Sequence, residues 1–230
     1  MPKRRVPIKT QAFLANLAMF SAMSREELDR VAAATLPIYA DKGEAVVHCG
    51  DPCTGFHVLV YGQVKLGFTS AQGIEKVVEI VRPGETFGEA LMFLDQPYIV
   101  SGHALSDSLL LHVAKHAVLA ELEHDAGFAR RLLSGLALRV HGLVRDVEAY
   151  TLRSGQERVI GYLLADAPAQ VNGHPVEVLL APGKSVIASR LNMTPEHFSR
   201  ILHDLSAEGL IVVNGRSVRI PDLDSLRHAA

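Results

Sequence analysis

Residues 194–200, "TPEHFSR", place a carboxylate and a guanidinium four positions apart, Glu196 and Arg200, with the hydroxyl of Ser199 beside them. At that spacing both charged groups share one face of a helix. Thr194 is a good N-cap and Pro195 suits the first helical position, so a helix starts here. A guanidinium can grip guanine O6 and N7 with two parallel bonds, and a carboxylate can accept from the amine of cytosine. On an isolated surface helix the same two groups would be an ordinary ion pair. The elements around them decide between the two readings.

A short helix is predicted over 185–191. It ends at Asn192, a residue type that tolerates the left-handed backbone of a tight turn, and Met193 fills the turn. The helix from 195 to about 207 carries Phe198, Ile201, Leu202 and Leu205 on one face. After Gly209, "LIVVNGRSVRI" reads as a hairpin with a type I′ turn at Asn214–Gly215. Helix, turn, helix and wing make a winged helix-turn-helix over 154–230, which enters the major groove of double-stranded DNA with the start of its second helix. Glu196, Ser199 and Arg200 are the candidate base contacts. Lys184, Thr194, His197 and Arg216 are the candidate contacts to the rest of the duplex.

A second chemical stretch is "GETFGEALMFLDQPYIV", residues 84–100. Gly88–Glu89 opens like a sugar or phosphate cradle, yet Ile99 and Val100 stand where a cation and a hydroxyl would be wanted. Short Val-, Ile- and aromatic-rich runs separated by Gly, Asp, Pro and Ser fill 36–113, the pattern of an antiparallel sandwich or jelly roll. With helices before it, the roll forms a sensory domain over 1–124. Its candidate pocket is Phe87, Gly88, Glu89, Leu91, Met92, Ile99, Val100 and His103. Between the two domains, over 125–153, Ala129, Leu133, Leu136, Val140, Leu143, Val147 and Tyr150 step by four and three. Such a seam is matched by a second copy of itself, which predicts a homodimer. The fold class is α+β.

The chain has 230 residues, 48% hydrophobic and 21% charged, with a formal net charge of −2. This is an ordinary folded composition, so any basic surface has to be local. No apolar run reaches the ~18 residues of a membrane span, and no membrane partner is expected. Two cysteines, Cys49 and Cys53, and a short basic start without a cleavage site point to a reducing, cytoplasmic compartment.

Jelly roll, long helix and winged helix-turn-helix in this order, with "GETFGEALMF" and "TPEHFSRILHDL" as the specific stretches, resemble the family of the cyclic-AMP receptor protein and the fumarate–nitrate reduction regulator (CRP/FNR) over roughly 10–222. The resemblance implies a homodimeric, effector-gated transcription regulator that works with RNA polymerase. Glu196, two residues, then Ser199–Arg200 matches the fumarate–nitrate reduction type; the cyclic-AMP receptor type has Arg where Pro195 stands. That implies a palindrome near TTGAT-N4-ATCAA. The family's nucleotide pocket meets the ribose with the residues matched by Gly88 and Glu89. Its Arg–Ser pair for the cyclic phosphate falls on Ile99 and Val100. A phosphate buried against two alkyl groups lacks a counter-charge, so cyclic AMP is not expected. Two cysteines fall short of a four-cysteine iron–sulfur cluster, and none is expected.

Within the family, "EALMFLDQPYIVSGHAL" and "PEHFSRILHDLSAEGLI" resemble the dissimilatory nitrate respiration regulator (DNR) branch. This likeness implies haem, nitric oxide as a gaseous effector, and activation of nitrogen-oxide respiration genes. Phe87, Leu91, Met92, Ile99 and Val100 would make an apolar lining for haem, with His103 as the first candidate axial ligand and His57 and His141 after it. The branch's candidate ligand just before the reading helix falls on Arg190, so it does not carry over. A thiol response at Cys49 and Cys53, a cyclic nucleotide or another small apolar effector stays open for the sensor. A cupin-like metalloenzyme would need a His-x-His and a spaced Glu on the strands; the sequence has no such pattern, and no enzymatic activity is expected.

Overall fold

The computed structural model describes residues 8–167 and 175–229; most of the basic start and Pro168 lie outside the described residues. Contacts divide the chain into two compact units, Met1–His141 and Gly142–Ala230.

The first unit opens with α1 (Thr10–Leu14) and α2 (Arg25–Ala33). A capping box starts α2: the Ser24 hydroxyl accepts from the Glu27 N–H while the Glu27 carboxylate accepts from the Ser24 N–H. There follow β1 (Thr35–Ala40), β2 (Ala45–Val47), β3 (Gly55–Tyr61), β4 (Val64–Thr69), β5 (Glu75–Val81) and β6 (Thr86–Phe87). Next come α3 (Glu89–Leu94), β7 (Ser101–Ala104), β8 (Ser108–Ala114), α4 (Lys115–His124) and the start of α5 (Ala126–Leu152). The strands form two four-stranded antiparallel sheets, ordered β1-β8-β3-β6 and β2-β7-β4-β5. This is the expected antiparallel roll. Val47, Leu59, Val64, Leu66, Val81 and Leu110 pack between the sheets. A second cluster joins the roll to its helices, with Phe20 stacked on Phe56 and Phe128 at ring-centre distances of 6.4 and 5.7 Å. Arg30 of α2 makes two bonds, 2.7 and 2.9 Å, to the buried carboxylate of Glu121 on α4.

The second unit holds the end of α5, then α6 (Gly155–Asp166), β9 (Val176–Leu179), α7 (Lys184–Arg190), α8 (Pro195–Ala207), β10 (Val212–Asn214), β11 (Ser217–Ile220) and α9 (Leu223–His228). Ser154 and Glu157 form a second capping box at the start of α6. Phe198, Leu202 and Leu205 of α8 close one core with Val159, Ile160 and Leu163 of α6 and Val218 of β11.

Three details differ from the sequence reading. A short helix, α3, forms inside the Gly88–Glu89 stretch, opened by Gly88 and closed by Asp95, both in left-handed backbone. The wing has three strands, in the order β10-β11-β9. Its hairpin pairs Asn214 with Ser217, so the turn residues are Gly215 and Arg216. Among the described residues of that turn only Gly215 has positive φ, +61°, whereas a type I′ turn needs two such residues.

Candidate nucleic-acid interface and sensory site

The Thr194 hydroxyl accepts from the His197 N–H at 3.2 Å and fixes the first turn of α8. Asn192, at φ +56°, makes the sharp reversal between α7 and α8. With Phe198, Ile201, Leu202 and Leu205 buried, Glu196, Ser199 and Arg200 face solvent. Among the described residues neither the Glu196 carboxylate nor the Arg200 guanidinium has a hydrogen-bond or ion-pair partner. The surface ion pair that competes with base reading is therefore not made. Arg216 is exposed in the wing turn, and Lys184 is half-buried in the first turn of α7. His197, expected at the duplex, is half-buried. Its ring packs on α6, 3.1 Å from where a Cβ on Gly155 would lie, so the missing side chain of Gly155 makes its seat.

In the first unit, Gly88 has φ +99°, and a Cβ there would meet the Tyr98 hydroxyl at 2.9 Å. Tyr98 is buried, with Oη 3.1 Å from His57 Nδ1. The His57 ring stacks on Phe87 at 4.8 Å and meets its cross-strand neighbour His112 at 4.8 Å. Burial pushes the His57 pKa down to about 3, with the charge of His112 adding to it. Burial also lowers the pKa of His112, whose Nε2 lies 3.3 Å from Thr54 Oγ1 and whose Nδ1 is buried without a partner. Tyr98 is held neutral by burial and by its hydrogen bond with Cys53.

Glu89 is only 5% exposed, and among the described residues its carboxylate has no hydrogen-bond partner. It lines a cavity of about 90 Å³ with Thr86, Leu132, Leu136 and Arg139. Arg139 of α5 donates to the Thr86 carbonyl at 2.7 Å and pairs with the Glu79 carboxylate.

The expected apolar pocket is not gathered around one space. Phe87, Leu91 and Val100 pack with the core between the sheets, while Met92 turns into the cluster under the helices. Ile99 is 58% exposed. On β7 Gly102 and Ala104 point inward, so the alternation of a strand puts His103 on the outer face of its sheet, beside Ala45 and Lys65. His103 does not face Phe87 or Met92. The cavity beside Glu89, about 90 Å³, is lined by Glu89 alone of these residues. Cys49 is exposed and Cys53 half-buried, both as free thiols. Among the described residues no group of three or more His, Cys, Asp or Glu could hold a metal ion, and no helix is long and apolar enough to cross a membrane.

The cyclic nucleotide-binding domain family matches residues 37–125, and the Crp-like helix-turn-helix domain family matches residues 157–229. The structure of DNR from Pseudomonas aeruginosa aligns over 97% of this chain and 99% of that one, with 32% identity and a TM-score of 0.52. The chain belongs to the CRP/FNR family of transcription regulators. It is also 30% identical over 178 residues to the nitrogen fixation regulation protein FixK of Azorhizobium caulinodans, covering 74% of this chain and 69% of that protein. It is 26% identical over 192 residues to the HTH-type transcriptional regulator Cmr of Mycobacterium tuberculosis, covering 82% and 73%.

Regulators of the CRP/FNR family bind DNA and typically act as dimers. On α5 of this member, Leu133, Val140, Leu143 and Val147 form a stripe between 57% and 66% exposed. Val144 and Leu138, which the heptad spacing omits, are exposed as well. Ala129 is half-buried and Leu136 lines the Glu89 cavity. The Tyr150 hydroxyl donates to the Arg190 carbonyl. Tyr98, Arg139 and the His57–His112 pair went unnoticed in the sequence. The one local signal for Tyr98 was its place in the same stretch as Gly88.

Proposed function

We propose that the chain is a homodimeric regulator that reads a TTGAT-N4-ATCAA-like palindrome and is gated by an effector in its sensory unit. The observation that carries this reading is the open Glu196–Ser199–Arg200 face at the capped start of α8. Arg200 takes the guanine of each half-site, Glu196 a cytosine amine, and Ser199 lies near a thymine. Thr194, Lys184 and Arg216 hold phosphates and set the register. The exposed stripe of Leu133, Val140, Leu143 and Val147 pairs with its copy, which places two reading helices on half-sites about 34 Å apart. Once on DNA, the dimer acts on RNA polymerase. A mobility-shift assay tests the reading: the palindrome binds more tightly than a scrambled duplex, and Arg200→Ala narrows that difference. Equal binding by that variant refutes the assignment.

For the effector we propose nitric oxide acting through a bound haem, with control of nitrogen-oxide respiration genes. Support comes from the likeness to DNR along the whole chain. Titration of the apoprotein with haem, then with nitric oxide without oxygen, decides. A saturable Soret band that shifts with the gas and tightens DNA binding supports haem. A titration that never saturates leaves a thiol response or a small apolar effector.

A further inference from the structure

The last carbonyls of a helix have no partner within it and need one from outside. At the end of α7 and in the following turn, those of Arg190, Leu191 and Asn192 are all taken by side chains of α5 and α6. The Tyr150 hydroxyl donates to the Arg190 carbonyl at 2.6 Å. Arg158 Nη1 donates to the Leu191 carbonyl at 2.8 Å and reaches that of Asn192 at 3.3 Å. The Arg190 side chain closes the ring: its guanidinium bonds Asp146 at 2.7 Å and meets the Tyr150 hydroxyl. Asp146 and Tyr150 lie one turn apart on α5, both partly buried. Burial raises the Tyr150 pKa and keeps the phenol a donor.

We infer that Asp146, Tyr150, Arg158 and Arg190 are positioning residues for DNA reading, a clasp that ties the turn of the helix-turn-helix to the last turns of α5. Only Arg153 and Ser154 separate α5 from α6, and α8 begins three residues beyond Asn192. With the turn gripped on three carbonyls, the aim of α8 follows α5 instead of being set by that two-residue joint. The grip is made largely on backbone, so it constrains direction whatever side chains the turn carries. Because α5 begins in the sensory unit and ends in the DNA-binding unit, the clasp is where a shift of the helix reaches the reading residues. The inference rests on the DNA-binding reading above.

The test uses the full chain with Asp146→Ala, Tyr150→Phe and the charge exchange D146R/R190D. Affinity for the TTGAT palindrome and peptide-resolved hydrogen exchange are measured for each. Asp146→Ala and Tyr150→Phe each weaken DNA binding by about five- to twenty-fold, inside the span of couplings between members of one bonded network. The exchange variant recovers most of that loss. Amides of 189–193 exchange faster in the single variants while those of 198–205 keep their protection. The inference is overturned if Asp146→Ala binds DNA as the wild type does. It is equally overturned if the charge exchange fails to restore binding and protection falls throughout 155–229, which marks a purely structural role. If the wild type itself does not prefer the palindrome, the operator reading falls. The exchange pattern at 189–193 then decides alone, with unchanged protection in Asp146→Ala and Tyr150→Phe refuting the clasp.

Discussion

Acidification tests whether the buried His57 governs the stability of the sensory unit. His57 is neutral in the fold, pushed down to about 3 by burial and by His112, whereas an unfolded histidine titrates near 6.5. Below 6.5 the unfolded chain therefore takes up a proton at His57 that the folded chain refuses. Stability is full above pH 6.5 and is lost as the pH falls toward the folded value. At 1.36 kcal/mol per pH unit, the fall from 6.5 to 5 removes about 2 kcal/mol through this one residue. His112 shifts in the same direction and adds to the loss. Asn at this position keeps an acceptor for the Tyr98 hydroxyl, where His57 Nδ1 lies 3.1 Å away, and does not titrate. Opening of the β3 and β8 peptides is followed by hydrogen exchange at increasing urea, at pH 8 and pH 5, with intrinsic rates corrected. His57→Asn lowers stability at both pH values, but wild type loses about 2 kcal/mol more than the variant between them. Equal losses in the two proteins would refute the argument, because other titrating groups are common to both and cancel.

Four further outcomes follow from the geometry. Arg200→Ala costs about 1–3 kcal/mol of specific binding and relaxes the preference at the guanine, measured by competition with substituted palindromes. Val147→Glu, on an exposed position of α5, leaves the chain folded and shifts its sedimentation to that of a monomer. Gly88→Ala destabilises by about 1–3 kcal/mol in urea, since it combines left-handed strain with the 2.9 Å approach to Tyr98; adding Tyr98→Phe, which removes the crowding hydroxyl, returns part of the loss. Arg30→Ala lowers stability more than Glu121→Gln in the same assay, because it leaves the buried Glu121 carboxylate without its bidentate partner.

The roll was legible where sequence pattern and packing share a period. In β7, and in β4 as far as Leu66, buried residues alternate with less buried ones, and turn residues mark the strand ends. The reading helix was legible for a similar reason: Thr194, Pro195 and the buried face of α8 lie within a dozen residues. The short α3 was not, because "EALMFL" is a single apolar run too brief to show a helical period. The His57–Tyr98–His112 cluster was out of reach altogether. Its members come from β3, β8 and the loop before β7, and only the cross-strand register His57↔His112 and the fold of that loop bring them together. His103 shows how a strand can be legible while the face its residues take is not. One step along β7 separates the inward Gly102 and Ala104 from the outward His103, and nothing in the local sequence marks which parity faces the core.

The heptad reading of α5 drew one seam from Ala129 to Tyr150, and the structure leaves the middle of that line exposed while its two ends meet neighbours in the fold. A seam drawn from spacing assumes that a single partner covers the helix from end to end. On this helix the roll takes one end and α7 the other. Near the start Leu132 and Leu136 turn to the roll, and Arg139 extends that contact by bonding Thr86 and Glu79. Near the end Asp146 and Tyr150 turn to Arg190 of α7. Leu133, Val140, Leu143 and Val147 are left between these two commitments and stay exposed. A 3.6-residue helix drifts about 20° per heptad against a strict seven-residue repeat. A stripe that began at Ala129 has therefore rotated by Tyr150 far enough to serve a different neighbour. The drift lets one straight pattern of apolar residues supply a free face for a second copy and a tethered end for the helix that reads DNA.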